Sequence, residues 1–109
     1  MYIPEQGDLV YFDFDPSSGK AIMKRRPAFI ISKHIFNEHT GFALLAPINS
    51  SIRNMRLEVV LPKGMPTTGS ILIHQIKSLD FLVRGAELIE KTPTAVTQEV
   101  LMLARAVIS

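Results

Sequence analysis

Lys24-Arg25-Arg26-Pro27-Ala28-Phe29-Ile30-Ile31-Ser32 sets three cations directly before a proline and a run of apolar residues. Proline disfavours the α region for the residue before it, so Arg26 is expected to be extended. The β-branched and aromatic residues that follow read as a buried strand, Pro27 to Ser32. A basic residue thus stands at the mouth of a rigid element, where a functional group is better aimed than on a free loop. A basic triplet alone is equally well a set of solvated charges beside a core strand. Its neighbours have to decide.

Upstream, Asp8 to Phe14 (DLVYFDF) is rich in β-formers and is stopped by the turn residues Asp15-Pro16-Ser17-Ser18-Gly19. Lys20 to Arg25 is then a basic loop containing Ala21, Ile22 and Met23. Downstream, Lys33 to His39 suits a short helical turn with Ser32 as its cap, and Phe42 to Pro47 reads as a third, fully buried strand. Ile48 to Met55 is a polar loop. Arg56 to Leu61, Ser70 to Ile76 and Lys77 to Val83 complete six strands, and Gly85 marks a bend. Thr92 is placed to cap a helix that has Pro93 at its first position. Val96, Val100, Leu103, Ala104 and Val107 form one apolar stripe along it. Short strands divided by turn signals predict a mainly β domain with α, a small antiparallel barrel against which the terminal helix packs.

Residues 1–109 suffice for one domain with a single core. Hydrophobic residues make up 47% and charged residues 20%, a globular balance and not a disordered one. No window reaches the roughly 18 apolar residues of a membrane span, and no basic segment followed by an apolar run opens the chain. A cytoplasmic protein without membrane contact is expected. The absence of cysteine excludes disulfides, a thiolate nucleophile and a zinc knuckle. Net charge is only +2, yet Lys20, Lys24, Arg25 and Arg26 lie in a stretch without acids, as a small polyanion site requires.

The three histidines, His34, His39 and His74, make no metal-ligand spacing, so neither a metal nor a cofactor is expected. His34 and His39 read as surface residues. His74 differs: in Ile73-His74-Gln75-Ile76 it lies inside an apolar strand, where a polar pair must be satisfied, useful or turned to solvent. Asn49, Ser50, Ser51 and Arg53 make the polar loop a set of donors suited to phosphate oxygens. Convergence of Lys20–Arg26, Asn49–Asn54 and the His74 strand would suit RNA backbone cleavage. There a 2′-hydroxyl attacks phosphorus, donors hold the developing charge, and one group moves protons.

Several blocks in order resemble MazF/PemK-type toxins, the endoribonuclease halves of toxin–antitoxin pairs. They are Gly7-Asp8-Leu9-Val10, Asp13-Phe14-Asp15-Pro16, Arg26-Pro27-Ala28, Ile30-Ile31-Ser32, Phe36-Asn37, Ala46-Pro47-Ile48, Glu58-Val59-Val60-Leu61, Gln75-Ile76-Lys77-Ser78-Leu79-Asp80 and Arg84-Gly85-Ala86. The resemblance implies an SH3-like barrel of the CcdB/Kid type with a C-terminal helix and a homodimer. It implies metal-independent, sequence-specific cleavage of single-stranded mRNA, and a cognate antitoxin whose tail covers the RNA site. Operator DNA would be met only through the antitoxin complex.

By the same resemblance Arg26 is the principal catalytic position, and Asn49 stands where the family has a catalytic threonine. Ala21 and Ile22 replace the family's usual loop Glu and Gln, and His74 replaces an aspartate common before the glutamine. Arginine is a poor proton carrier, so Arg26 serves to stabilise the phosphate. Asn49 and Ser50 are expected to position the phosphate, and His74, whose residue type titrates near neutral pH, is the candidate acid or base. Lys20, Lys24, Arg25, Ser51, Arg53, Gln75 and Lys77 are expected to bind RNA. The competing expectations are a non-catalytic binder on this scaffold, poisoning gyrase as CcdB toxins do, or a decayed toxin that still binds antitoxin and operator DNA.

Overall fold

Leu9, Phe29 and Ala46 face one another across three neighbouring strands, as do Val10, Ala28 and Pro47 one residue along. Both rows are buried. The central strands therefore serve two cores, which is why their sequences run apolar instead of alternating. The structure, a computed structural model, describes residues 1–14, 25–53 and 55–109. The expected turn after Asp13-Phe14, the loop positions Lys20, Ala21, Ile22, Met23 and Lys24, and Asn54 lie outside them.

Seven strands are described: β1 (Asp8–Asp13), β2 (Arg25–Ile30), β3 (Phe42–Asn49), β4 (Glu58–Val60), β5 (Ser70–Leu72), β6 (Lys77–Asp80) and β7 (Glu87–Lys91). Two helices accompany them, α1 (His34–Thr40) and α2 (Thr94–Ile108). The sheet order is β4-β5-β3-β2-β1-β7, with β6 also on β3, and all pairings are antiparallel. The path is not closed between β4 and β7, so the expected barrel is barrel-like in curvature and open at one seam. One core holds Leu9, Phe29, Ile48, Val59, Ile71, Val96 and Val100, and α2 supplies its last two members. The other holds Val10, Phe12, Ile30, Leu45 and Phe81.

Several boundaries move for identifiable reasons. β2 begins at Arg25 because Asp13 and Phe12 of β1 pair with Arg25 and Arg26. β3 is not fully buried: Phe42 and Leu44 point outward from the strand's first half. The expected continuous strand Ser70–Ile76 is broken. Ile71 stands opposite Ile48, so unbroken pairing would bring His74 opposite Leu45; Lys77 stands there instead, three residues later. A 3₁₀ turn, Ile73–Gln75, takes up the excess. β7 was not expected and is held by pairing to β1. Pro93 is the N-cap of α2, not its first residue. Thr92 instead donates its hydroxyl to the Gly7 carbonyl at 2.8 Å. Nor does Ser32 cap α1: its hydroxyl donates to the buried Asn37 side chain at 2.5 Å and accepts from the Leu44 amide at 2.9 Å.

Candidate active site

β2 and β3 pair through Ile30 and Leu45, Phe29 and Ala46, and Ala28 and Pro47, and the ladder ends there. Continuing it would place Pro27 opposite Ile48 and Arg26 opposite Asn49. The next hydrogen-bonded pair would be Pro27 with Ile48, and Pro27 has no N–H to donate; the opposite edge of β3 runs on, Ile48 and Asn49 pairing with Ile71 and Ser70 of β5. The strands separate. The gap is a cavity of about 240 Å³ lined by Arg26, Pro27, Ile48, Asn49, Ser50 and Thr68. Arg26, Asn49 and Ser50 thus line one cavity, and each comes from a strand end or the turn beside it.

The Thr68 side of the cavity is fixed by a close approach. Gly69 has φ +123°, and a Cβ on it would overlap the Asn49 carbonyl, so the 66–69 turn lies directly on the end of β3. Asn49 Oδ1 accepts the Ser51 amide at 3.0 Å, which shapes the next turn. The Arg53 amide donates to Glu58 Oε2 at 3.1 Å, tying the loop back to β4. Ser50, Ser51 and Arg53 are exposed.

The two adjacent arginines are used differently. Arg25 lies 3.4 Å from the Asp13 carboxylate and donates to the Gly85 carbonyl at 2.7 Å. It pins the turn before β7 to the end of β1, a stabilising contact for a residue expected to bind RNA. Arg26 has no acidic partner among the described residues. Its guanidinium carbon lies 5.6 Å from the centroid of the Phe14 ring, and the Lys77 ammonium lies 5.4 Å from the same centroid. One partly buried ring therefore holds two cations by attraction to its π face. Arg84 fixes the backbone beneath the ring, donating to the carbonyls of Asp13 at 3.1 Å and Phe14 at 2.5 Å.

His74 is not brought to this cavity. It is exposed on the 3₁₀ turn, its Nε2 lies 3.4 Å from the Gln75 carboxamide nitrogen, and it lines a different cavity with Met55, Arg56 and Leu57. Its expected role as acid or base for chemistry at Arg26 has no geometric support. Sequence reasoning missed Thr68, Phe14 and Arg84. Thr68 was legible only through the Asn49–Ser70 register, which carries the turn across. Phe14 and Arg84 read as a β-former and a bend residue.

The groups with shifted titration sit at the far end of β1, about 20 Å along the strand from Phe14. Tyr2 donates a short hydrogen bond to the buried Asp8 carboxylate, and Lys91 donates to its other oxygen at 2.9 Å. Burial, then the bond and charge of Asp8, push the Tyr2 phenol above its ordinary range. The bond to Asp8 raises Lys91, against a smaller opposing effect of desolvation.

A profile of the family described as PemK-like, MazF-like toxin of type II toxin–antitoxin system matches residues 5–108. The chain belongs to this family. Among PemK/MazF proteins, endoribonuclease toxin MazF of Escherichia coli K12 is 38% identical over 85 residues, covering 78% of this chain and 76% of that one. Endoribonuclease toxin ChpB of the same strain is 32% identical over 109 residues, covering 95% and 93%. The crystal structure of MazE–MazF (form III) from Deinococcus radiodurans superposes with a TM-score of 0.89 at 32% identity, covering 98% and 97%. A mostly antiparallel sheet with a C-terminal helix is thus the family's architecture as well as this chain's.

Proposed function

We propose that this PemK/MazF-family toxin is an endoribonuclease that cleaves single-stranded mRNA at preferred sequences without a metal ion. One observation carries the reading. An arginine without an acidic partner among the described residues faces the amide and hydroxyl groups of Asn49, Ser50 and Thr68 across an open cavity. That set fits a phosphodiester. Arg26 stabilises charge on the non-bridging oxygens as the 2′-oxygen closes on phosphorus, and Asn49 and Ser50 donate to the same oxygens. The products are a 2′,3′-cyclic phosphate and a 5′-hydroxyl. The described lining holds neither carboxylate nor imidazole, so catalysis rests chiefly on positioning and charge stabilisation. Lys77 and Arg53 neutralise flanking phosphates.

The relatives are named endoribonucleases and the Deinococcus structure holds MazE with MazF. By that likeness the chain is neutralised by a cognate antitoxin of the MazE type. The same reading makes it a homodimer that meets operator DNA through the antitoxin complex.

The test is incubation of the purified protein with a long single-stranded RNA in EDTA, with mapping of new ends. Discrete cuts that vanish in Arg26→Ala, with its melting curve unchanged, are expected. Cleavage that survives Arg26→Ala refutes the assignment. A folded wild-type protein that leaves RNA whole would turn attention to gyrase and antitoxin binding.

A further inference from the structure

A second cavity, about 540 Å³, is walled by Met55, Arg56, Leu57 and His74. Its chemistry differs from that of the Arg26 cavity. A thioether and an isobutyl side chain give it apolar walls, while a guanidinium and an imidazole add two planar groups of the kind on which unpaired bases stack. The Gln75 carboxamide lies beside the imidazole, 3.4 Å from Nε2, so donor and acceptor edges are available at the rim. Among the described residues no acidic side chain lines it.

Its position matters as much as its walls. Only Gln75 and Ile76 separate His74 from Lys77, and the Lys77 ammonium shares the Phe14 ring with Arg26. Lys77, which shares that ring with Arg26, thus follows closely on the 3₁₀ turn that carries His74. The three residues by which β6 falls behind β5 are the ones that present His74 and Gln75. Arg56 brings a further cation to the far wall. An apolar peptide side chain would use Met55 and Leu57 and leave the guanidinium and the imidazole without a purpose. A nucleobase with its phosphate uses all four.

We propose that this second cavity is a nucleobase subsite, holding one unpaired base of the RNA strand whose scissile phosphate lies at Arg26. His74 is then a specificity residue and not a proton carrier. The inference rests on the ribonuclease reading and adds to it a place for sequence readout.

The test uses short single-stranded RNAs carrying one abasic residue at successive positions. Their binding to Arg26→Ala protein is measured by anisotropy, with and without His74→Ala or Arg56→Gln. At one position the intact base should bind about tenfold more tightly than the abasic residue, the size of one stacking contact. That advantage should vanish in both double variants. In the Arg26 background, cut maps with His74→Ala should lose the preference for one flanking base. Equal losses for intact and abasic RNA overturn the subsite, as does an unchanged cut map. A His74→Ala effect confined to the pH–rate profile overturns it too and restores a proton-transfer role. Protection of His74 by an apolar peptide but not by RNA assigns the cavity to a protein partner and refutes the proposal. Failure of the wild-type protein both to cut and to bind RNA refutes the ribonuclease reading itself, and the subsite with it.

Discussion

Gly69 sits so close to the end of β3 that any side chain there would overlap the carbonyl of Asn49. The positive φ of Gly69 adds a second reason for glycine. Gly69→Ala should therefore displace Asn49 and Thr68 together, widening the cavity at Arg26. We expect a loss of stability of more than about 1 kcal/mol and at least a tenfold fall in RNA cleavage. Thermal melting and kcat/KM check this; wild-type values for both would show that the turn can shift without moving the site.

Phe14 should behave as a positioning residue for Arg26 and Lys77. Phe14→Leu keeps an apolar side chain but removes the π face, worth about 1 kcal/mol for each exposed cation. Cleavage should fall about tenfold in Phe14→Leu and be largely retained in Phe14→Tyr. A graded fall on fluorination of the ring, at constant melting temperature, would separate the charge interaction from packing. A flat series would assign Phe14 to the core alone.

Arg25 and Arg26, one residue apart, should give opposite phenotypes. Arg25→Gln breaks the contacts to Asp13 and Gly85 and should cost about 1 kcal/mol of stability, with no change in the salt dependence of RNA binding. Arg26→Ala should leave stability alone and reduce the slope of log K against log salt by about one. Equal salt slopes for the two variants would contradict the division of roles.

The Asp8 cluster predicts an alkaline limit. Tyr2 and Lys91 both hold their protons more tightly in the folded chain. Their stabilisation is complete below about pH 10, the ordinary range of the unfolded groups, and is lost as pH rises through the folded values. Melting temperature should fall steeply above about pH 10, and less steeply in Tyr2→Phe and Asp8→Asn. Parallel wild-type and Tyr2→Phe curves would show that the phenol does not contribute.

Much of this was legible in sequence wherever local chemistry decides the outcome. Proline after Arg26 gave an extended arginine at a strand mouth, and the stripe from Val96 to Ala104 gave the helix that covers one core. The polar loop after Pro47 led to Asn49 and Ser50. What escaped depends on register. Nothing within Ser70–Ile76 shows that β6 falls three residues behind, so His74 looked like a strand residue aimed at the catalytic gap. Glu87–Lys91 is an edge strand whose sequence, Glu-Leu-Ile-Glu-Lys, shows no period-two pattern, and it becomes a strand only because β1 pairs with it. Thr68 and Phe14 reach the site by way of partners distant in sequence, Asn49 and Arg26, which no local pattern reports.

The proline at the parting of β2 and β3, Pro27, bears on how fast a ligand can enter. A gap between strands that both carried N–H groups could zip shut in the unliganded protein, and each encounter would wait for it to reopen. Pro27 cannot donate across the gap under any condition, so this part of the opening is written into the covalent chain. Capture of a polyanion at Arg26 should then be limited by diffusion and ionic strength, with an association rate that falls steeply as salt is added and no lag from a conformational step.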